Sequence, residues 1–203
     1  MSKTAPAVRT AIRRTAPALL ALALAGCISL GGGKAPPTLI NLTAASAPAA
    51  GTAISGKAGE AIVVMDPETD RRLAVQRVAV GLDAANVAYM KDAMWVERPA
   101  RLFRSLLAET LRAKGGRLVF EDAEAAASGR TRLSGRLLDI GYDAATQSVV
   151  VRYDAVLEAP GGAIRTKRFE SRVPGIAPKA NAAAPALNQA ANDVAAQVAD
   201  WVG

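Results

Sequence analysis

The chain has 203 residues, with 25 Lys and Arg against 18 Asp and Glu, a single cysteine and no histidine. One thiol allows no internal disulfide, and the missing histidines remove the Ser-His-Asp and Cys-His nucleophilic systems and the common zinc ligand sets. The formal charge of +7 comes without an arginine block interleaved with aromatics, so nothing in it points to DNA or RNA.

The first 26 residues have the pattern of an export signal. Lys3, Arg9, Arg13 and Arg14 form a basic start, and residues 16–25 form a short run rich in Ala and Leu. About ten residues of helix reach about 15 Å, half of a bilayer core of about 30 Å. The run ends in Leu24-Ala25-Gly26-Cys27, which matches the bacterial lipobox. A peptidase cuts before the Cys, and lipid is attached to its thiol and new amino group. The lipid on Cys27 is the only covalent group expected, and no other cofactor is. Several acyl chains together give stable anchoring at about 0.8 kcal/mol per buried CH₂. Removing 26 of 203 residues leaves 177, a single domain by length, and four of the seven excess positive charges go with the signal, leaving about +3.

Residues 27–60 read as a lipidated cysteine, a tether and a first strand. Gly31-Gly32-Gly33 is mobile by composition and Ala35-Pro36-Pro37 stiffer. Thr38-Leu39-Ile40-Asn41-Leu42 is the candidate strand, and residues 44–59 read as a loop. Residues 61–203 form the main domain. Ala61-Ile62-Val63-Val64-Met65 is a strand stopped by Asp66-Pro67, and residues 73–80 a second with a kink near Gln76-Arg77. Val87 to Met90, the pair Lys91-Asp92, and Met94-Trp95-Val96 read as a hairpin.

Pro99 opens an amphipathic helix with Leu102, Phe103, Leu106, Leu107 and Leu111 on one face, ended by Gly115-Gly116. Arg101, Arg104, Glu109 and Arg112 read as its solvated face. Arg117 to Phe120 is a short strand, and three long strands follow. In the first, Leu133, Gly135 and Leu137 take one side and Leu138, Ile140 and Tyr142 the other. Residues 149–157 alternate strictly, and Gly161-Gly162 turns the chain into residues 165–173. Residues 174–185 read as a Pro/Ala loop. The last helix stripes Leu187, Ala190, Ala191, Val194, Val198 and Trp201. The fold class is therefore α+β, a mostly antiparallel sheet packed against two amphipathic helices.

The segment Asn86-Val87-Ala88-Tyr89-Met90-Lys91-Asp92-Ala93-Met94-Trp95-Val96-Glu97-Arg98-Pro99-Ala100-Arg101-Leu102 resembles the core signature of the ABC-type transport auxiliary lipoproteins. Lys167 to Pro174 and the closing Asp200-Trp201-Val202 are similar to the family's later motifs, and the resemblance spans about residues 38–202. The family is similar to the PqiC-type lipoproteins that accompany MCE (mammalian cell entry) transport systems. The resemblance implies a fold like the N-terminal domain of TolB and no catalytic residues. It implies an MCE-domain protein and inner-membrane transporter components as partners, and lipids or other hydrophobic molecules as cargo. Ile28 after the cysteine, in place of Asp, favours the periplasmic face of the outer membrane of a Gram-negative bacterium.

Tyr89, Lys91 and Trp95 are the candidate partner surface, since Tyr and Trp are enriched at interfaces. The competing reading packs the two aromatics on Phe103 in the core and leaves Lys91-Asp92 as a solvated turn. Glu121, Asp122 and Glu124 form an acidic loop without further metal ligands, so neither metal nor catalytic residues are expected. Beside the docking partner stand two alternatives: a periplasmic carrier with a lipid in its own cavity, and an envelope enzyme using carboxylates or a Ser-Lys pair.

Overall fold

The computed structural model describes residues 38–121 and 130–203, all of which fall within one compact unit. The signal, the lipobox residues Leu24, Ala25, Gly26 and Cys27, the stretch 28–37, and Asp122 and Glu124 lie outside the described residues.

In chain order the elements are β1 (Ile62–Val64), β2 (Arg77–Gly81), β3 (Val87–Met94), α1 (Pro99–Lys114), β4 (Val119–Phe120), β5 (Thr131–Asp143), β6 (Ser148–Glu158), β7 (Ile164–Pro174) and α2 (Ala180–Val202). The 13-residue β5 is the spine. Along one edge it pairs antiparallel with β6, which pairs antiparallel with β7. Along the other edge two short strands lie end to end, both parallel to it: β1 against residues 131–133 and β2 against 141–143. Glu68 stitches the gap, donating to Gly135 O and accepting from Leu137 N, each at 2.9 Å. β4 flanks β1 in parallel and β3 flanks β2 antiparallel. The seven-stranded sheet is thus mixed, not mostly antiparallel. Parallel neighbours need a long crossover connection, and the segment through α1 carries the chain from the β2–β3 end back to β4 and β5.

Both helices cover one face of the sheet, α2 over β6 and β7 and α1 alongside α2. Pro99 occupies the first turn of α1, where a missing N–H costs nothing, and Gly115 ends it at φ 73°, a backbone that favours glycine. Phe103, Leu106, Leu107 and Leu111 are buried as expected. Phe103 meets Tyr153 edge-on at 5.2 Å between centroids.

Five local expectations change. Lys91-Asp92 is not a hairpin turn. β3 runs straight through it, and the hairpin is β2–β3, closed by Asp83 and Asn86. Between the pairs Arg77↔Met94 and Ala79↔Tyr89, β3 spends extra residues as a bulge, and Asp92 takes the φ of 55° that this requires. In β5 a bulge at Leu138 reverses the alternation, so Leu133, Leu137, Ile140 and Tyr142 all reach the core. α2 starts at Ala180, inside the expected loop, with Pro185 in its second turn. Thr38 to Leu42 forms one parallel bridge, Ile40 to Trp95, in place of a strand. Leu73 to Gln76 is turn-like, and β2 begins only at Arg77.

Candidate interaction surface

Alternation along β6 sends Val149, Val151, Tyr153, Ala155 and Leu157 under the helices and Val150, Arg152, Asp154 and Val156 to the uncovered face. Across from them on β7 stand Arg172, Glu170 and Arg168. The register places Arg152 opposite Glu170 and Asp154 opposite Arg168. Such directly opposed pairs are the units that fix a sheet surface. Arg152 Nε donates to Glu170 Oε2 at 2.6 Å. Arg168 grips both oxygens of Asp154 at 2.6 and 2.7 Å. Arg172 Nη1 donates to Asp143 at 3.0 Å and to the Thr146 and Ser148 hydroxyls at 2.8 Å each.

The lattice continues over β5. Arg72 donates to Asp70 at 3.1 Å, to Asp139 at 3.3 Å and to the Leu138 carbonyl at 2.5 Å. A cleft of about 540 Å³ opens here, lined by Arg72, Val87, Asp139, Val150, Arg152 and Arg172 among others. Hydrogen bonds from Arg172, Arg168 and Arg152 hold the carboxyls of Asp143, Asp154 and Glu170 below their ordinary range. Asp139 behaves the other way, because burial raises its pKa more than Arg72 lowers it. Each pair is partly exposed and contributes little stability alone. Together they give an ordered ionic surface of mixed sign.

The structure separates the three residues singled out as a partner surface. Tyr89 is half-buried on the same uncovered face, with the Arg77 guanidinium 4.5 Å from its ring centroid and its hydroxyl 3.4 Å from Arg72 O. Lys91 is exposed on the β3 bulge. Trp95 is 1% exposed, so its side chain sits inside the domain. Of the four charged residues expected on the solvated face of α1, only Arg101 is fully exposed. Arg112 reaches Glu121 at 2.8 Å and Arg104 reaches Asp66 at 2.9 Å, which ties the helix to β4 and to the end of β1. Glu121 is therefore an ion-pair partner. No group of three potential metal ligands occurs among the described residues.

The sequence reading missed the pair Asn188 and Asn192. One turn apart on α2, they capture the incoming chain: Thr43 N donates to Asn188 Oδ1 at 2.8 Å and Ala45 N to Asn192 Oδ1 at 2.7 Å, while Asn192 Nδ2 donates to Thr43 O at 2.9 Å. Their i, i+4 spacing was the available signal.

The sequence matches the ABC-type transport auxiliary lipoprotein component family over residues 41–199. The chain belongs to that family. Among solved structures, protein XCC0632 from Xanthomonas campestris, of the DUF330 family, is similar, with a TM-score of 0.68 and 16% identity over 81% of this chain and 94% of its own. A second, described as an uncharacterized protein, gives a TM-score of 0.63 and 14% identity over 71% and 93%. At such identities the likeness is one of fold. No curated protein matches this chain. As members of a transport auxiliary lipoprotein family, such chains serve ABC-type transport systems. No described helix here is long and apolar enough to cross a membrane.

Proposed function

We propose that this family member is held by lipid on Cys27 at the periplasmic face of the outer membrane. There it acts as the docking partner of an MCE/ABC-type system that moves lipids or other hydrophobic molecules. Its uncovered sheet face, with Tyr89 at one side, receives the MCE-domain protein or a transporter component. Its role is contact, with no reaction at the protein.

The observation that carries docking over carriage is the filling of the apolar interior. Phe103, Leu106, Leu107, Leu137, Ile140, Tyr153 and Leu187 are each 2% exposed or less and close the space between sheet and helices. The clefts at Arg72–Arg172 and at Leu39–Lys179 lie on the outside. A lipid carrier needs an apolar cavity that buries most of its ligand.

The test is purification of the tagged full-length protein from detergent-solubilised envelope, with mass spectrometry of co-purifying proteins and extracted lipids. Docking predicts an MCE-domain or transporter protein, reduced by Cys27→Ser. Stoichiometric lipid without a protein partner would overturn it in favour of the carrier.

A further inference from the structure

We infer that the surface around Leu39, Lys91 and Lys179 is the face this domain lays on its own membrane, with the phosphates of lipid headgroups as the ligand. The inference rests on the proposed lipidation of Cys27.

Thr38 stands eleven positions after Cys27, with ten residues between them. Eleven such steps reach at most about 40 Å. The far end of this tether is fixed to the domain. Ile40 N donates to Met94 O at 2.7 Å and Ile40 O accepts from Val96 N at 2.9 Å. Asn188 and Asn192 hold Thr43 and Ala45, and Ile40 and Leu42 are buried. At anything short of full extension, the anchor brings the surface beside Thr38 nearer to lipid than the opposite end of the domain.

That surface has the chemistry of a headgroup contact. A groove of about 530 Å³ is lined by Thr38, Leu39, Lys91, Asp92, Lys179 and Asn181, among others. Leu39 is 50% exposed. Lys91 and Lys179 are exposed, and neither has a carboxylate partner among the described residues. Asp92 opposes them, leaving one net positive charge. An apolar side chain with flexible ammonium groups around it suits the boundary between headgroups and acyl chains. The other end of α2 is different. Trp201 stands about 33 Å from Lys179 by helical rise, and the Arg165 guanidinium over its ring places Ile164, 63% exposed, at that far end.

Because the one native thiol is consumed by lipid, an introduced cysteine is a unique label. Full-length lipidated protein carrying Leu39→Cys or Ile164→Cys, labelled with a fluorophore, is reconstituted into phosphatidylethanolamine–phosphatidylglycerol vesicles containing a headgroup-nitroxide quencher. The inference predicts severalfold stronger quenching at position 39 than at 164. Adding Lys91→Glu and Lys179→Glu should shift the balance between apposed and detached domain by well over roughly 25-fold, since each lysine lost is worth roughly fivefold and each glutamate adds repulsion, and replacing the anionic lipid by phosphatidylcholine should shift it by roughly fivefold for the one net charge. A difference that survives both changes reflects the tether alone and overturns the inference. Loss of a co-purifying protein with unchanged quenching assigns the groove to that protein and overturns it too. Failure of the unsubstituted protein to enter vesicles, with no lipid mass on Cys27, overturns the anchor itself. Circular dichroism verifies that the charge-reversed variant is folded.

Discussion

Gly135→Ala should be among the most damaging single-methyl additions in this domain. Gly135 lies in β5 at φ 150°, and a Cβ built there would stand 2.0 Å from Asp154 O and 2.9 Å from the Tyr153 hydroxyl. Neither neighbour can move freely. Asp154 O belongs to the β5–β6 pairing, and the Tyr153 hydroxyl donates to Ser134 O at 2.7 Å under the helices, where burial also raises the phenol's pKa. The backbone strain of a side chain at this φ is about 1–3 kcal/mol. Forcing apart packed groups adds about 1–3 kcal/mol, and loss of the buried Tyr153 hydrogen bond about 1–3 kcal/mol more. Counting partial relaxation, the expected cost is about 4–6 kcal/mol. For a domain of this size that is a fall in Tm of roughly 10–20 °C. Thermal unfolding followed by circular dichroism measures it, with Tyr153→Phe as the comparison that removes the hydroxyl alone and should cost about 1–2 kcal/mol. A Gly135→Ala protein melting within about 3 °C of the parent, a shift worth about 1 kcal/mol, would refute the close approach of β5 and β6 here.

Replacing both Asn188 and Asn192 by Ala should free Thr43 and Ala45. Their amides should then exchange with solvent much faster while those of β5 and β6 keep their protection; uniform exchange across the domain would contradict a local strap. Trp95 and Trp201 are the only tryptophans, so Trp201→Phe should leave a blue-shifted emission that iodide barely quenches, while Trp95→Phe should leave the half-exposed, redder and quenchable Trp201. The reverse assignment would mean that Trp95 is at the surface after all. Asp143, Asp154 and Glu170 have folded pKa values below their ordinary values of 3.8, 3.8 and 4.5. Their contribution is complete above those values and is lost as pH falls through the lower folded ones. Burial of Asp139 acts oppositely, since its cost is relieved on protonation. With three groups against one, urea midpoints should fall between about pH 5 and about pH 2.5, less steeply in Arg152→Ala; a midpoint that rises on acidification would contradict the sign.

The elements with strong local chemistry were legible in the sequence. Pro99 and Gly115 bracket α1 to the residue, and the alternation read in the sequence is the observed burial of β6 from Val151 to Leu157, while Val150 before it is buried as well. What failed did so where tertiary contacts choose between two locally good answers. Lys91-Asp92 has turn chemistry, yet Asp92 uses its positive φ for a bulge inside one strand. Leu138 adds one residue to β5 and so changes the face of everything after it, which no count of apolar positions reveals. Pro185 looks like a stop, but the alanines on both sides hold the helix together. The parallel placement of β1 and β2 depends on chain crossovers, which leave no local mark. The ionic surface was partly readable, because Arg152 and Asp154 on one strand and Arg168, Glu170 and Arg172 on the next repeat at period two on the face opposite the core residues. The strap could be read only as a spacing, since its partners lie 145 and 147 residues away in sequence.

The most direct measurement is photocrosslinking in intact cells from single positions on the two faces. A reactive side chain placed at Arg168, exposed on the uncovered sheet, should form an adduct with an MCE-domain or transporter protein, and one at the exposed Gln197 on α2 should not. Adducts with lipid alone from both positions, or none from Arg168, would contradict docking through the sheet face.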